Sequence, residues 1–426
     1  MKFKKHAIIT LSLLISLGAM GCHKALPIED ETEVKSNEVN EKGELVPEQG
    51  AKLVFWTVDE EYGKAIATAF EAQYSVPVTV EKVGMGEIDK MILTGPTQTG
   101  ADVFMSSHDN MPTGMAAGLF LEINPQIAER IKAKMNDVGI KTVTVDNKLY
   151  GVPVSIETSC LFYNKDLVGE TPAITLEEIL EESKTYNDVV NNKFYFLYST
   201  PDTYKAYPLL SAFGYHAFGE NGDDNAHPGF ETEAFKKGLE LIYSLREIMP
   251  VSATDLRNAE FVRNLFMEGK VAYEITGPWD IKTFRDSGVH FGVTTLPTYE
   301  GRSLTPFAGV KTAHVSAWTE YPIAAQLLAE FLVSDEGASL LYEKANKITT
   351  LKDVSNVRGL GEDPLVKPFT QQFENSFPMP NVKDIKAFWT ATEKSLISLY
   401  DGELTPDEAQ KKTIETWEAI LASQAE

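Results

Sequence analysis

The first apolar stretch is short and uninterrupted: a basic start, Met1–Lys5, runs into Ala7–Leu17 (AIITLSLLISL). From Ala51 onward two rhythms alternate. Ala51–Asp59 (AKLVFWTVD) is dense in β-branched and aromatic residues and predicts a strand. Tyr62–Tyr74 carries Ile66, Ala69, Phe70 and Gln73 at helical spacing and predicts a helix. Val76–Val83 and Ala101–Ser106 predict two further strands, with a helix over Gly86–Thr94 between them. Strand, helix, strand, helix, strand implies a parallel α/β sheet with right-handed crossovers. Ligands of such sheets sit beyond the carboxyl ends of the strands, which marks Thr57–Tyr62 and Ser106–Met111.

Further along, Leu149–Asn164 is extended for longer than one ordinary strand, and Pro153 lies within it. Helices are expected over Leu176–Ser183 and Phe235–Ile248, and strands over Lys193–Tyr198, Gly269–Ile275 and His290–Thr295. The last helix is the best marked. Thr405-Pro406-Asp407-Glu408 is a capping box with Pro at the first helical position, and Ala409, Ile414, Trp417 and Leu421 share the buried face. No internal repeat is visible.

The 426 residues exceed one ordinary core and suggest two domains or one two-lobed fold. The Ala7–Leu17 run has 11 residues, too few to span a hydrocarbon core ~30 Å thick, and fits a secretion signal. Gly18–Gly21 leads into Cys22, which resembles a lipobox, although Ala19 stands where Leu is preferred. Residues 1–21 then form a lipoprotein signal peptide, and Cys22 is the diacylated mature N-terminus. Residues 22–50 read as a lipid-anchored disordered linker, because His23–Gly50 holds eight acids, three Lys and no aromatic residue. Without the signal, 36 basic groups face 62 acidic ones, a charge of −26. That acidity excludes nucleic acid and polybasic membrane docking. Two cysteines, Cys22 and Cys160, exclude a disulfide scaffold.

Catalytic signatures are missing: there is no G-x-S-x-G, no phosphate-binding G-x-x-x-x-G-K-[ST], no H-E-x-x-H and no strand-linked G-x-G-x-x-G. The His are scattered, so no metal site and no cofactor declares itself. Asn221–Asn225 (NGDDN) has the oxygen spacing of a calcium loop but no Glu at the twelfth place, and reads as a surface turn. Cys160, inside an apolar strand, reads as a small core residue.

Leu53–Thr57 (LVFWT), Gly100–Phe104 running into Ser107-His108-Asp109, Leu149–Pro153 (LYGVP), Phe162–Leu167 (FYNKDL), Ile275–Trp279 (ITGPW), Phe291–Val293, Pro306–Val310 and Ala387–Trp389 (AFW) occur in this order. In order and spacing they resemble the maltose/maltodextrin-binding proteins of bacterial ABC importers. The resemblance covers the body from Lys52 to about Ser423. It implies a two-lobed periplasmic-binding-protein fold of type II, each lobe a mostly parallel sheet flanked by helices, with a hinge of crossing strands near 156–159 and 309–313. The lobes would be 51–156 plus 314–362 and 157–313 plus 363–426. It also implies a non-enzymatic, monomeric receptor that delivers maltose, maltodextrin or a related oligosaccharide to membrane permease subunits.

Carried over residue by residue, the resemblance puts sugar-holding acids at Asp109 and Glu157 and a looser third at Asp202, beside the stacking Tyr204. Aromatic platforms fall on Trp279 and Trp389. The polar pair after the first strand falls on Asp59 and Glu60, or its neighbour Glu61. The chemistry suits a sugar: carboxylates accept charge-assisted bonds from hydroxyls, and rings cover the apolar C–H faces. Without the resemblance, Trp279 and Trp389 would equally be core aromatics and Asp109 a turn cap. Trp56, Trp318 and Trp417 are expected in the core. The sequence departs from the family at three places. Ser106 stands where a platform Trp is expected, Asn110 where a basic residue is, and an acid replaces a common Lys of the first loop. The first lobe is therefore expected to offer fewer stacking and cationic contacts.

Overall fold

The computed structural model describes residues 39–40, 43–84 and 86–424, which lie within one compact unit, Glu38–Glu426. The signal peptide, Cys22 and most of the expected linker lie outside the described residues. Two sheets organise the chain. The larger contains β1 (Leu53–Thr57), β2 (Val78–Lys82), β3 (Val103–Ser107), β4 (Val152–Glu157), β9 (Phe307–Val315) and β10 (Ile348–Thr349), in the order β10-β4-β9-β3-β1-β2, with β11 (Phe377–Pro378) paired to β9. The smaller contains β5 (Cys160–Asn164), β6 (Phe194–Phe196), β7 (Val271–Thr276) and β8 (Phe291–Thr294), in the order β8-β5-β7-β6.

The opening strand–helix alternation is as the periodicity predicts. Helix α1 (Glu60–Tyr74) follows β1 and α2 (Glu87–Thr94) follows β2, while β1 runs parallel to both β2 and β3. Phe55, Ile66 and Phe70 are fully buried between sheet and helix, each contributing about 1.5–3 kcal/mol of apolar transfer. Four further helices matter for the site and its support: α3 (Thr203–Leu210), α4 (Pro322–Leu332), α5 (Ile385–Tyr400) and α6 (Pro406–Gln424). The α6 capping box forms, with Glu408 N–H donating to Thr405 Oγ1 at 3.3 Å and Thr405 N–H to Glu408 at 2.9 Å.

Two expectations need correction. The sheets are mixed rather than mostly parallel: β9 is antiparallel to β3 and β4, and in the smaller sheet only β6 and β7 are parallel. The reason is topological. The chain leaves the larger sheet after Glu157, enters the smaller at Cys160, and returns along β9. One strand carries the chain out and the other brings it back, so they must oppose each other. Their register sets Gly309 against Glu157, and Thr158 Oγ1 donates to the Phe307 carbonyl at 3.0 Å.

The second correction concerns the linker, whose end belongs to the folded body. Leu45 is buried, and the Glu48 carboxylate accepts the N–H groups of Ile323 (2.7 Å) and Ala324 (2.9 Å). These are donors that α4 leaves open in its first turn, where the helix dipole also favours an anion. Cys160, Trp56 and Trp417 are buried in the core, and Trp318 packs against it. Asn225 is hydrogen-bonded with Asp384. Among the described residues no helix is long and apolar enough to cross a membrane.

Candidate functional site

The carboxyl ends of β1, β3 and β4 face helix α5 and the turn after β7 across a cavity of about 690 Å³. Five of the expected ligand residues line it: Asp59, Asp109, Glu157, Trp279 and Trp389. Cavities of about 840 and 760 Å³ lie elsewhere, one beside Leu45–Pro47 and one behind Ile156 and Ala308, but neither brings Trp faces and carboxylates together.

Each group is held by local structure. Asp59 leaves the end of β1, and its carboxylate meets the nearly buried ammonium of Lys347 at 2.6 Å. Asp109 sits in the single turn His108–Asn110 that follows β3. One of its oxygens accepts the Trp389 Nε1–H at 3.3 Å, and the other is buried with no protein partner. The preceding His108 fixes that turn. Its Nδ1 accepts the Val310 N–H at 3.1 Å and its Nε2 donates to the Met379 carbonyl at 3.0 Å, which defines the neutral Nε2–H tautomer. Burial pulls its pKa below the ordinary histidine value.

Glu157 ends β4, with Lys311 Nζ 3.5 Å from its carboxylate, and the same ammonium donates to Ser107 Oγ at 2.5 Å. Burial would lower the Lys311 pKa, but the carboxylates of Glu157, Asp109 and Glu87 outweigh this and hold it above the usual lysine range.

The two rings come from the other side. Trp279 occupies the turn Pro278–Asp280 after β7. Its neighbour Asp280 is buried and clamped by Arg263 Nε (2.7 Å) and Thr276 Oγ1 (2.5 Å). Gly277 is required beneath the ring, since a Cβ there would lie 2.1 Å from Trp279 atoms. On α5, Phe388 is fully buried, while Trp389 is only half-buried and meets Phe307 edge-on at 5.6 Å.

Three expected residues do not line the cavity. Glu60 points to solvent and pairs with Lys64 one turn along α1. Asp202 is the N-cap of α3 and accepts the Lys205 N–H at 3.1 Å. Tyr204 stands behind the wall, its hydroxyl donating to the Glu157 carbonyl at 3.3 Å and its ring 6.2 Å from that of Trp279. Burial pushes its hydroxyl pKa well above the usual tyrosine value.

Lining residues that sequence reasoning missed are Glu87, Lys311, Lys347 and Lys386. Lys311 had a signal, as a lone charge inside the apolar strand Phe307–Val315, where burial demands a partner. Lys347 had none, for its partner lies 288 residues away. Cations nonetheless reach the cavity from elsewhere: the lysines come from β9, from the segment before β10 and from α5. Among the described residues no group of His, Cys, Asp and Glu comes together as a metal site.

Two sheets joined by opposed crossing strands, with a cavity between them walled by rings on one side and acids on the other, define a two-lobed solute receptor. The chain matches the family model of bacterial extracellular solute-binding proteins over residues 65–368, and it belongs to that family. These are extracytoplasmic proteins. The chain is 30% identical to the galactooligosaccharide-binding protein of Bacillus subtilis (strain 168), across 97% of this chain and 96% of that one. It is 30% identical to a maltooligosaccharide ABC transporter solute-binding lipoprotein of Streptococcus pneumoniae (strain ATCC BAA-255 / R6), across 81% and 83%. A crystal structure of a cyclo/maltodextrin-binding protein complexed with maltotetraose superposes with a TM-score of 0.75 at 28% identity, across 87% and 97%.

Proposed function

We propose that this chain captures a neutral oligosaccharide in the cavity between its two sheets and delivers it to the permease of an ABC importer, acting as a monomer. The carrying observation is the convergence of Trp279 and Trp389 with Asp59, Asp109 and Glu157 on one cavity. Rings suit the apolar faces of a pyranose, and carboxylates suit its hydroxyl rim. Two sugar classes fit this reading, one a maltodextrin, supported by the two Trp faces and by the maltodextrin-binding relatives. A galacto-oligosaccharide is the second, favoured by Ser106 on the wall where a third ring would face a glucan.

Binding would close the lobes about 156–159 and 309–313, because each lobe supplies part of the site. The lobes in this reading are 51–156 plus 314–362 and 157–313 plus 363–426. A diacylated Cys22 would hold the receptor at the outer face of the cell membrane, a reading supported by the signal-like N-terminus and by the lipoprotein relative. A receptor fits better than a hydrolase. The relatives are named as solute-binding proteins, which supports the receptor. Titration calorimetry with maltotriose, a β-1,4-galactotriose and glucose checks the reading, and incubation of each sugar with the protein should leave it uncut. Absence of heat with every neutral oligosaccharide would sink it.

A further inference from the structure

The wall that lacks its ring is not blank. Ser106 and Asn110, two of the three departures from the family pattern, both point to one carboxylate. Ser106 Oγ donates to Glu87 Oε1 at 2.6 Å, and Asn110 Nδ2 donates to the same oxygen at 3.2 Å. Asn110 Nδ2 also lies 3.3 Å from Ser106 Oγ, which closes the trio. Glu87, the first residue of α2, is 6% exposed and lines the cavity. Both protein donors are spent on Oε1. Its Oε2 accepts no hydrogen bond from the described residues, and it is not among the side-chain atoms sealed off without a partner. That oxygen therefore stays accessible at the cavity wall, with lone pairs free to accept a ligand hydroxyl. Ser106 and Asn110 therefore orient an acceptor toward the cavity, opposite the rings of Trp279 and Trp389.

That asymmetry has a stereochemical meaning. A glucose unit of a maltodextrin carries its C2, C3 and C4 oxygens equatorially, so both faces are largely apolar and accept a ring on either side. A galactose unit has an axial hydroxyl at C4, which makes one face polar and leaves the other apolar. Rings on one wall with a fixed carboxylate on the other, one of its oxygens open, match the second case. We infer that Glu87 is a specificity-determining residue that accepts the axial C4 hydroxyl of a non-reducing terminal galactose, the one unit of a β-1,4-galactan whose O4 is not glycosidic, so the cavity prefers galacto- to malto-oligosaccharide. This rests on the oligosaccharide reading above and decides between its two sugar classes.

The test is titration calorimetry of the full chain and two variants with β-1,4-galactotriose and maltotriose, alongside ligand-free thermal melts. The wild type should bind galactotriose the more tightly. Glu87→Gln should weaken galactotriose by about tenfold and maltotriose by less than about twofold, with the melt unchanged. Ser106→Trp should shift the preference toward maltotriose, because it rebuilds a ring on that wall. Equal losses for both sugars in Glu87→Gln, or no loss for galactotriose, would show that Glu87 merely supports the wall and overturn the inference. A wild type that binds maltotriose but not galactotriose would overturn it too, while leaving the receptor reading intact. Binding of neither sugar would defeat the oligosaccharide reading itself.

Discussion

Two adjacent rings on one helix show how neighbouring residues divide labour. Phe388 is fully buried, so Phe388→Ala removes a core side chain and should cost about 3–5 kcal/mol of stability, read as a lower thermal midpoint. Trp389 is half-buried, touches Phe307 and donates to Asp109, so Trp389→Ala should act elsewhere. Its ligand-free melt should move far less than that of Phe388→Ala, while oligosaccharide affinity falls by about tenfold or more, ~1.4 kcal/mol. Unchanged affinity in a calorimetric titration would remove Trp389 from the site. Ala387-Phe388-Trp389 was readable as a motif, but periodicity alone could not say which ring faces the cavity. A single α-helical step turns a side chain by about a quarter-turn or more, so neighbours take different surroundings. Asp202 shows the opposite failure. Its place before an apolar helix is equally the pattern of an N-cap, and the backbone N–H of Lys205 takes it.

Among elements, what could be read depended on how far apart the partners lie. The α6 cap joins Thr405 to Glu408 within one turn, and the sequence alone identifies it. The α4 cap joins Glu48 to backbone donors 275 and 276 residues away, and an acid-rich stretch there reads as linker. Glu48→Ala should destabilise the body by about 1–2 kcal/mol, and native-state hydrogen exchange should quicken at Ile323 and Ala324. Unaltered exchange would mean the cap is idle.

The strands carry a pH signature as well. Burial pushes His314, on β9, down to about 4, so the unfolded chain holds the extra proton below the ordinary value of 6.5 and stability falls toward acid. Burial pushes Glu274, on β7, up to about 8 despite nearby Lys205, so the folded chain holds the extra proton above 4.5. Between about 4.5 and 6.5 the two slopes oppose each other. Above 6.5 only the Glu274 slope persists, and stability should fall toward pH 8 by at most about 1.4 kcal/mol per unit. Denaturant titrations of Glu274→Gln should lose that alkaline decline and keep the acid one. A decline that persists in the variant would assign it to other groups.

At the scale of the whole molecule, the signs of the charges on the two sides of the cavity mouth differ. Asp89 on α2 stands 3.7 Å from Lys386 on α5, and Lys282, held above the usual lysine range chiefly by its hydrogen bond to Asp286, also feels the charge of Glu61 on α1. These pairs favour closure, but both partners of the first are more than half exposed, at 73% and 53%. Pairs of that kind contribute roughly 0–1 kcal/mol, much less than rings and hydroxyl acceptors that only a bound sugar engages. The ligand rather than the rim should therefore drive closure, since it alone gains contacts on both walls when they approach. Lys386→Ala should weaken oligosaccharide binding by no more than about fivefold in low salt, and the difference should vanish near 1 M salt, where the screening length is ~3 Å. Small-angle scattering should show the wild type contracting on sugar addition at either ionic strength. A large affinity loss that salt does not erase, or a contraction that salt abolishes, would place the driving force in the rim charges and not in the sugar.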